Sequence, residues 1–429
     1  MQRKILITVL ILGLTALGTI AAPLTLEEAH SLALEHNLTY KLAQGKVRSV
    51  EAKYQGAKAG LYPQIGATSS YTKMNQQPSM IPGMSTPSEN VAVQLSLQQP
   101  LYPGVSLSKL PQVAETQLEV ARLEELRARQ ELKSQVASAY YNALSAREMV
   151  TITQEAIEVA RGQLAKAQAF FENGVVLRTD VLRAELAVGS LRQNLLATEN
   201  GAALALASLE ATLGVSLAGF ELVPPSFPQT LATIDFQRAL ALAQKCRPEL
   251  AIAQASAKQT ELAVELARGG KRPQVALVGN YGWQGSELKL DDANWSVTLS
   301  ARLPLFDGGA QDAKIREAQA GAETTKLVLL QLEQGIALEI QAAVGGLLEA
   351  KGRLPLALGA VEQAQEALRI SQARYSEGLG MLTEVLEAQS ALNKAQADRV
   401  GAIYNYYLAV EKLELSMGSE IPEAMEAAR

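Results

Sequence analysis

The residue types that most often carry chemistry are scarce in this 429-residue chain and poorly spaced for it. The two histidines, His30 and His36, stand six apart, whereas a metal pair on one helix face needs a separation of about four. They read as surface or packing residues. Cys246 is the single cysteine, which leaves it no intramolecular disulfide partner and makes a small buried hydrophobe the natural reading. No glycine-rich phosphate loop and no GxSxG elbow occurs in the sequence. An enzyme, a metal site and a bound cofactor are therefore not expected. The formal net charge of −5 leaves no basic footprint for nucleic acid.

Composition points instead to a large helical body: 48% hydrophobic, 19% charged and only 5% aromatic, with Ala, Leu, Glu and Gln dominant. At the N-terminus Arg3 and Lys4 precede the apolar run Ile5–Leu14, and small residues follow. That pattern predicts a secretory signal peptide over 1–22, cleaved after Ala21 or Gly18. An uncleaved anchor is the competing reading, weakened because the apolar core is short of the roughly 20 residues a span needs. No later stretch is expected to reach that length, so no transmembrane helix is expected. Cys246 also lies too far along the chain to be a lipid-modified N-terminal residue.

The elements come in two parallel sets. "LTLEEAHSLALEHN...GLYPQI" from Leu24 aligns without gaps to "IDFQRALALAQKCR...GKRPQV" from Ile234, matching Pro63 to Pro273. "QPLYPG" from Gln99 matches "LPLFDG" from Leu303, and "FFENGVVLRTDVLRAE" from Phe170 matches "RYSEGLGMLTEVLEAQ" from Arg374. The repeats span 24–214 and 234–418, joined by a segment with Pro224, Pro225 and Pro228. Each predicts a first helix (about 25–61 and 235–269), a proline, two alternating segments, a very long helix (about 105–172 and 309–376) and a glycine turn. A shorter helix follows (about 178–214 and 382–417), stopped by Gly214 or Gly418. The expectation is two long and four short helices. At 1.5 Å per residue the long ones reach ~100 Å and the short ones ~55 Å, so two short helices end to end match one long helix. Alanine-rich stretches at 137–146 and 203–211 permit close, coiled-coil-like contact.

Within 64–101 and 274–304 the period changes to two. Val91, Val93, Leu95 and Leu97 alternate with Ala92, Gln94, Ser96 and Gln98; Trp295, Val297, Leu299, Ala301 and Leu303 alternate with Ser296, Thr298, Ser300 and Arg302. A soluble sheet against its own core shows the same pattern. Here, however, the partner segments 64–75 and 274–285 are polar or glycine-rich, and no other part of the sequence is free to cover the oily face. Trp283 and Trp295 flank the loop 286–293, with Tyr71 and Tyr281 on neighbouring strands, while Tyr102 and Phe306 sit at the opposite end. Two such belts are what a barrel presents to the two interfaces of a bilayer. Pro63, Pro100, Pro273 and Pro304 mark the strand-to-helix junctions, where a missing N–H costs little. Four strands cannot close a barrel, for which about eight is the practical minimum, and an open edge in lipid leaves backbone groups unsatisfied. Several copies must share one barrel, and a long polar conduit favours three copies over two.

With this plan, the motifs "QPLYPG", "LPLFDGG", "NGVVLRTDVLRAE", "RYSEGLGMLTEVLEAQSAL" and "YNYYLAVEKLELSMG" resemble the TolC-type outer-membrane efflux protein family over nearly all of 23–429. The resemblance implies a mainly α fold with a membrane β-barrel: a homotrimer whose twelve-stranded barrel, four strands per protomer, continues into a long periplasmic helical tunnel. It implies an outer-membrane location with contact to lipid. A periplasmic adaptor and an inner-membrane pump of RND, ABC or MFS type are the implied partners, and no catalysis is implied. Gly174 and Gly378 become periplasmic tips that open like an iris, and Gly174, Val175, Leu177, Gly378 and Leu379 the adaptor contacts. Glu384 and Glu387 match the family's pore constriction. They are three apart on one helix face, so three chains converge six carboxylates on an axis. Acidic residues also favour a first helical turn for its dipole alone, which accounts for Asp180 and Glu384 but not for Glu387, whose counterpart is Arg183. Thr179, Asp180 and Tyr375 match positions that hold the gate by hydrogen bonds. An arginine of the family pattern is replaced by Gly380, with Arg178 or Arg374 as candidate substitutes. The alternative reading is a trimeric periplasmic coiled-coil scaffold with no transport role. The cargo is not encoded in any pocket chemistry.

Overall fold

A short strand, β1 (Ala22–Leu24), opens the chain and leads into α1 (Leu26–His36) and α2 (Leu38–Ala59). Two strands follow, β2 (Gln64–Lys73) and β3 (Glu89–Tyr102), then α3 (Gly104–Glu172) and α4 (Arg178–Leu213). The second repeat runs β4 (Phe220–Leu222), α5 (Phe236–Cys246), α6 (Pro248–Gly269), β5 (Gln274–Gly285), β6 (Asn294–Arg302), α7 (Ala310–Ser376) and α8 (Leu382–Met417). This computed structural model describes residues 22–73, 89–102, 104–225, 231–232, 234–285 and 293–421. Most of the expected leader, the loop 286–292 and Pro228 lie outside them. β1 begins at Ala22, so the leader boundary at 22 overlaps the first strand by one residue.

The long helices match their expected limits, with 69 residues in α3 and 67 in α7. The first helix of each repeat does not. It is broken at Asn37 and again at Arg247, which gives α1 and α2 in one half and α5 and α6 in the other, instead of four short helices in all. Thr25 and Glu28 form a reciprocal capping box at the start of α1. Asn37 then caps α2, its Oδ1 accepting from Tyr40 N at 3.1 Å, while its amide donates to Thr212 O at the end of α4 at 2.9 Å. At the equivalent break Pro248 occupies the first turn of α6, where its missing N–H is harmless.

Helix α3 packs along α2 and α6 on its sheet-proximal part and along α4 and α8 beyond it; α7 packs along α6 and α8. Buried clusters lie around the helix breaks, with Tyr140, Leu209 and Leu213 in one and Ile340, Leu413 and Met417 in the other. A third, with Tyr375, Leu382 and Val385, lies toward the far ends. At the first cluster β1 pairs in parallel with β4. Tyr140 clamps this pair: its hydroxyl lies 2.7 Å from both Leu24 O and Val223 O, and Val223 N donates back at 3.1 Å. Neither the two-stranded sheet nor this clamp is visible in the hydropathy pattern.

The second sheet is antiparallel, in the order β2-β3-β5-β6, with β2 and β6 as its edges. One correction concerns α7, which contains a window long and apolar enough by composition to cross a bilayer, against the expectation of none. Little of that window is buried within the chain.

Candidate functional site

Both long helices end in the same hydrogen-bonded turn. After α3, Gly174 adopts φ 74° and its N–H donates to Phe171 O, while Val175 N donates to Phe170 O at 2.8 Å. After α7, Gly378 adopts φ 70°, its N–H donates to Tyr375 O, and Leu379 N donates to Arg374 O at 2.8 Å. Each is a Schellman motif, and its left-handed residue favours glycine because a Cβ is strained there. The turns leave four apolar side chains exposed to solvent: Val175, Leu177, Leu379 and Met381. Met381 was not among the expected contacts. The repeat alignment pairs it with Leu177 and so carried the signal.

Charges distinguish the two turns. Thr179 and Asp180 lie in the first turn of α4, where Asp180 pairs with Arg183 at 3.6 Å. Glu384 and Glu387 lie in the first two turns of α8, Glu387 exposed and Glu384 3.5 Å from Arg374 Nη1. Arg374 also donates to Leu379 O at 3.3 Å. Gly380 leaves room for this: a Cβ there would stand 3.1 Å from Arg374 Cβ and 3.2 Å from Glu384 Oε2, close enough that these side chains would have to give by a few tenths of an ångström. Of the two arginines considered, Arg374 therefore makes contact with an acidic position of the tip. Tyr375 is buried against Phe170, with ring centroids 5.5 Å apart. Burial, then the charge of Asp180, raise its pKa. Its hydroxyl has no hydrogen-bond partner among the described residues, so Asp180 and Tyr375 are brought near each other without a bond between them.

Register in the four-stranded sheet places its apolar residues together. Across the strands Ile65, Leu97, Gly279 and Val297 align in one row, and Ala67, Leu95, Tyr281 and Trp295 in the next. Tyr71 and Trp283 share that face by the same parity, next to Val91 and Val93. The opposite face is polar: Gln94 donates to Asn280 Oδ1 at 2.8 Å, and Asn280 Nδ2 lies 3.4 Å from Ser296 Oγ. At the far end Tyr102 pairs with Val275, and Phe306 is exposed in the irregular segment before α7. Pro63 and Pro273 directly precede β2 and β5, and Pro304 lies between β6 and α7. Pro100 differs from expectation. It lies inside β3, where the register with β5 shifts between Pro100 and Tyr102; a bulge accommodates the missing N–H.

The early chemical candidates are dispersed. His30 Nε2 lies 3.0 Å from Lys133 O, and burial lowers its pKa. His36 stands at the end of α1, and Cys246 at the end of α5 is half-buried rather than fully buried.

The model for outer membrane efflux proteins matches residues 29–215 and again 239–419, one match per repeat. The chain belongs to the outer membrane efflux protein family. Protein CyaE of Bordetella pertussis is 27% identical over 86% of this chain and 78% of its own length. Outer membrane protein TolC of Escherichia coli is 22% identical over 97% of this chain and 87% of its own. Among solved structures, a membrane protein from Pseudomonas aeruginosa superposes with a TM-score of 0.84 at 19% identity, covering 94% of this chain and 92% of that one. This efflux protein is thus an outer-membrane protein of a transport family, not one of enzymes, and its helical body has the fold of that family.

Proposed function

We propose that three copies of this efflux protein assemble into one channel, with twelve strands closing a barrel through the outer membrane and the helices forming a periplasmic tunnel. The observation that carries this reading is the open four-stranded sheet. Its apolar face lacks a cover among the described residues, with Trp295 at 75% and Leu299 at 66% exposure, and its two edges require partners in lipid. Helix α2 supports the same assembly, since none of its 22 residues is buried in the protomer. So does α4, which leaves Leu182, Leu186, Leu196 and Leu204 exposed along its length. Neighbouring protomers cover such faces in a coiled-coil wall.

In this reading substrates pass from an inner-membrane pump through a periplasmic adaptor into the tunnel. The adaptor docks on the apolar tips around Gly174, Val175, Leu177, Gly378, Leu379 and Met381, and the tips part like an iris. Glu384 and Glu387 ring the narrow end and attract cations. Thr179, Asp180 and Tyr375 hold the closed gate with partners from adjoining protomers. The test is single-channel recording in planar bilayers. Wild-type protein should prefer cations, and the Glu384→Gln/Glu387→Gln variant should lose most of that preference with its conductance retained. Unaltered ion selectivity refutes the constriction assignment, and the lack of any channel refutes the assembly.

A further inference from the structure

The joint between α6 and β5 differs from its counterpart in the first repeat. Arg268, Lys271 and Arg272 are all exposed there, whereas the equivalent positions 58, 61 and 62 are Lys58, Leu61 and Tyr62. Lys58 lies over the ring of Tyr54, 4.2 Å from its centroid. The basic turn lies against the start of α7: Lys271 Nζ is 2.5 Å from Asp312, and the Gln311 side chain donates to Ala267 O. The adjoining segment before α7 presents Leu305 at 89% and Phe306 at 92% exposure.

The local carboxylates are already engaged. Asp307 accepts from Gly309 N at 2.9 Å and Gln311 N at 2.8 Å, Asp312 pairs with Lys271, and Glu265 pairs with Lys109 at 2.6 Å. Arg268 and Arg272 have no ion pair among the described residues. An exposed aliphatic and aromatic segment next to two guanidinium groups without a salt bridge, Arg268 acting on Glu265 only at longer range, is complementary to the boundary of an anionic lipid layer. The apolar side chains enter the acyl region and the guanidinium groups meet phosphate.

We infer that Arg268 and Arg272 bind the headgroups of anionic phospholipids in the periplasmic leaflet of the outer membrane. The inference rests on the membrane placement of the sheet proposed above. In a trimer it gives three basic joints alternating with three apolar ones around the rim.

The test is native mass spectrometry of the detergent-purified full chain with equimolar phosphatidylglycerol and phosphatidylcholine. Wild-type protein should retain phosphatidylglycerol preferentially, by roughly fivefold per arginine. Arg268→Gln/Arg272→Gln should bring the ratio close to one. Arg302→Gln should leave it in place, because Arg302 shares the polar face of β6 with Ser300 and Thr298. Equal retention of both lipids by wild-type protein overturns the proposal, as does a preference that survives in the double variant, the result expected if these arginines face the lumen. Protein that stays dissolved in aqueous buffer without detergent overturns the membrane placement itself, and this proposal with it.

Discussion

Asn37 and Arg247 occupy equivalent positions in the two repeats, and each breaks a helix with different local chemistry. Asn37 caps α2 with its own side chain. Arg247 makes no such cap; Pro248 follows it, Arg247 Nη1 forms an ion pair with Glu339 Oε2 on α7 at 2.7 Å, Arg247 Nε donates to Glu249 Oε2 at 3.3 Å, and Glu339 accepts from Ser416 on α8. What the two breaks share is a visitor. Gly214, ending α4, approaches the first, where a Cβ would stand 3.0 Å from His36 O. Gly418, ending α8, approaches the second, where a Cβ would stand 2.8 Å from Cys246 O and 2.9 Å from Arg247 Cα. The break is therefore set by the close approach of another helix end, and different local residues serve to stabilise it.

Glycine substitutions probe that comparison most strongly. Gly418→Ala combines a left-handed backbone with a tight approach and should cost about 3 kcal/mol, whereas the looser Gly214→Ala should cost about 2 kcal/mol. Melting of the detergent-solubilised protein ranks them; equal shifts would remove the difference in intimacy between the two breaks.

A second difference lies at Glu411 on α8, whose counterpart on α4 is Ala207. Glu411 lines a cavity of about 540 Å³ with Glu27 and His30 from α1, Lys133 from α3, Glu414 and the following Glu420. Burial foremost, then the charge of Glu414, raise its pKa from 4.5 to about 7, while Lys133 opposes them. The folded chain holds a proton there that the unfolded chain releases. The resulting stabilisation is complete below pH 4.5 and is lost as pH rises through about 7. Glu411→Gln should remove this pH dependence and stabilise the protein above pH 7 by about 2 kcal/mol; parallel melting profiles for variant and wild type from pH 5 to about 8 would contradict it.

Removing the cap comes next. Asn37→Ala loses both its bond to Tyr40 N and its donation to Thr212 O and should cost about 1.5 kcal/mol. Arg247→Gln, with Pro248 still in place, should cost less; the reverse order in melting would show that Arg247 is the principal support of its break. Arg374→Ala should have the smallest effect on stability. Arg374 is 54% exposed and Glu384 41%, and pairs so exposed contribute at most about 1 kcal/mol. A larger loss in melting would mean that the second tip depends on its ion pair more than on its hydrogen-bonded turn.

Much of this architecture was legible because it is periodic or punctuated. Alternation over 91–98 and 295–303, helical composition over 105–172 and 309–376, and glycine at 174 and 378 each leave a local mark. The helix breaks also left marks, Asn37 as a cap residue and Pro248 as a first-turn residue, but such residues are tolerated near helices often enough that they do not compel a break. Pro100 illustrates the converse: read as a junction, it became an interior strand residue because β5 paired past it. Tyr140 gave no signal at all, since its three hydrogen-bonding contacts come from segments about eighty or more positions away. Arg374 was one of two candidates until the space beside Gly380 distinguished it from Arg178.

By itself the sequence determined the duplication, the lengths of the long helices, the alternation of the strands and the glycine turns at the tips. These depend on interactions spanning a few residues, and local spacing encodes them. Only the tertiary structure decided where the first helices break, the register that brings aromatic side chains of different strands into adjoining rows, and which charges find partners. Those outcomes follow from the approach of distant backbone and side chains to within a few ångströms, a distance that no local pattern specifies.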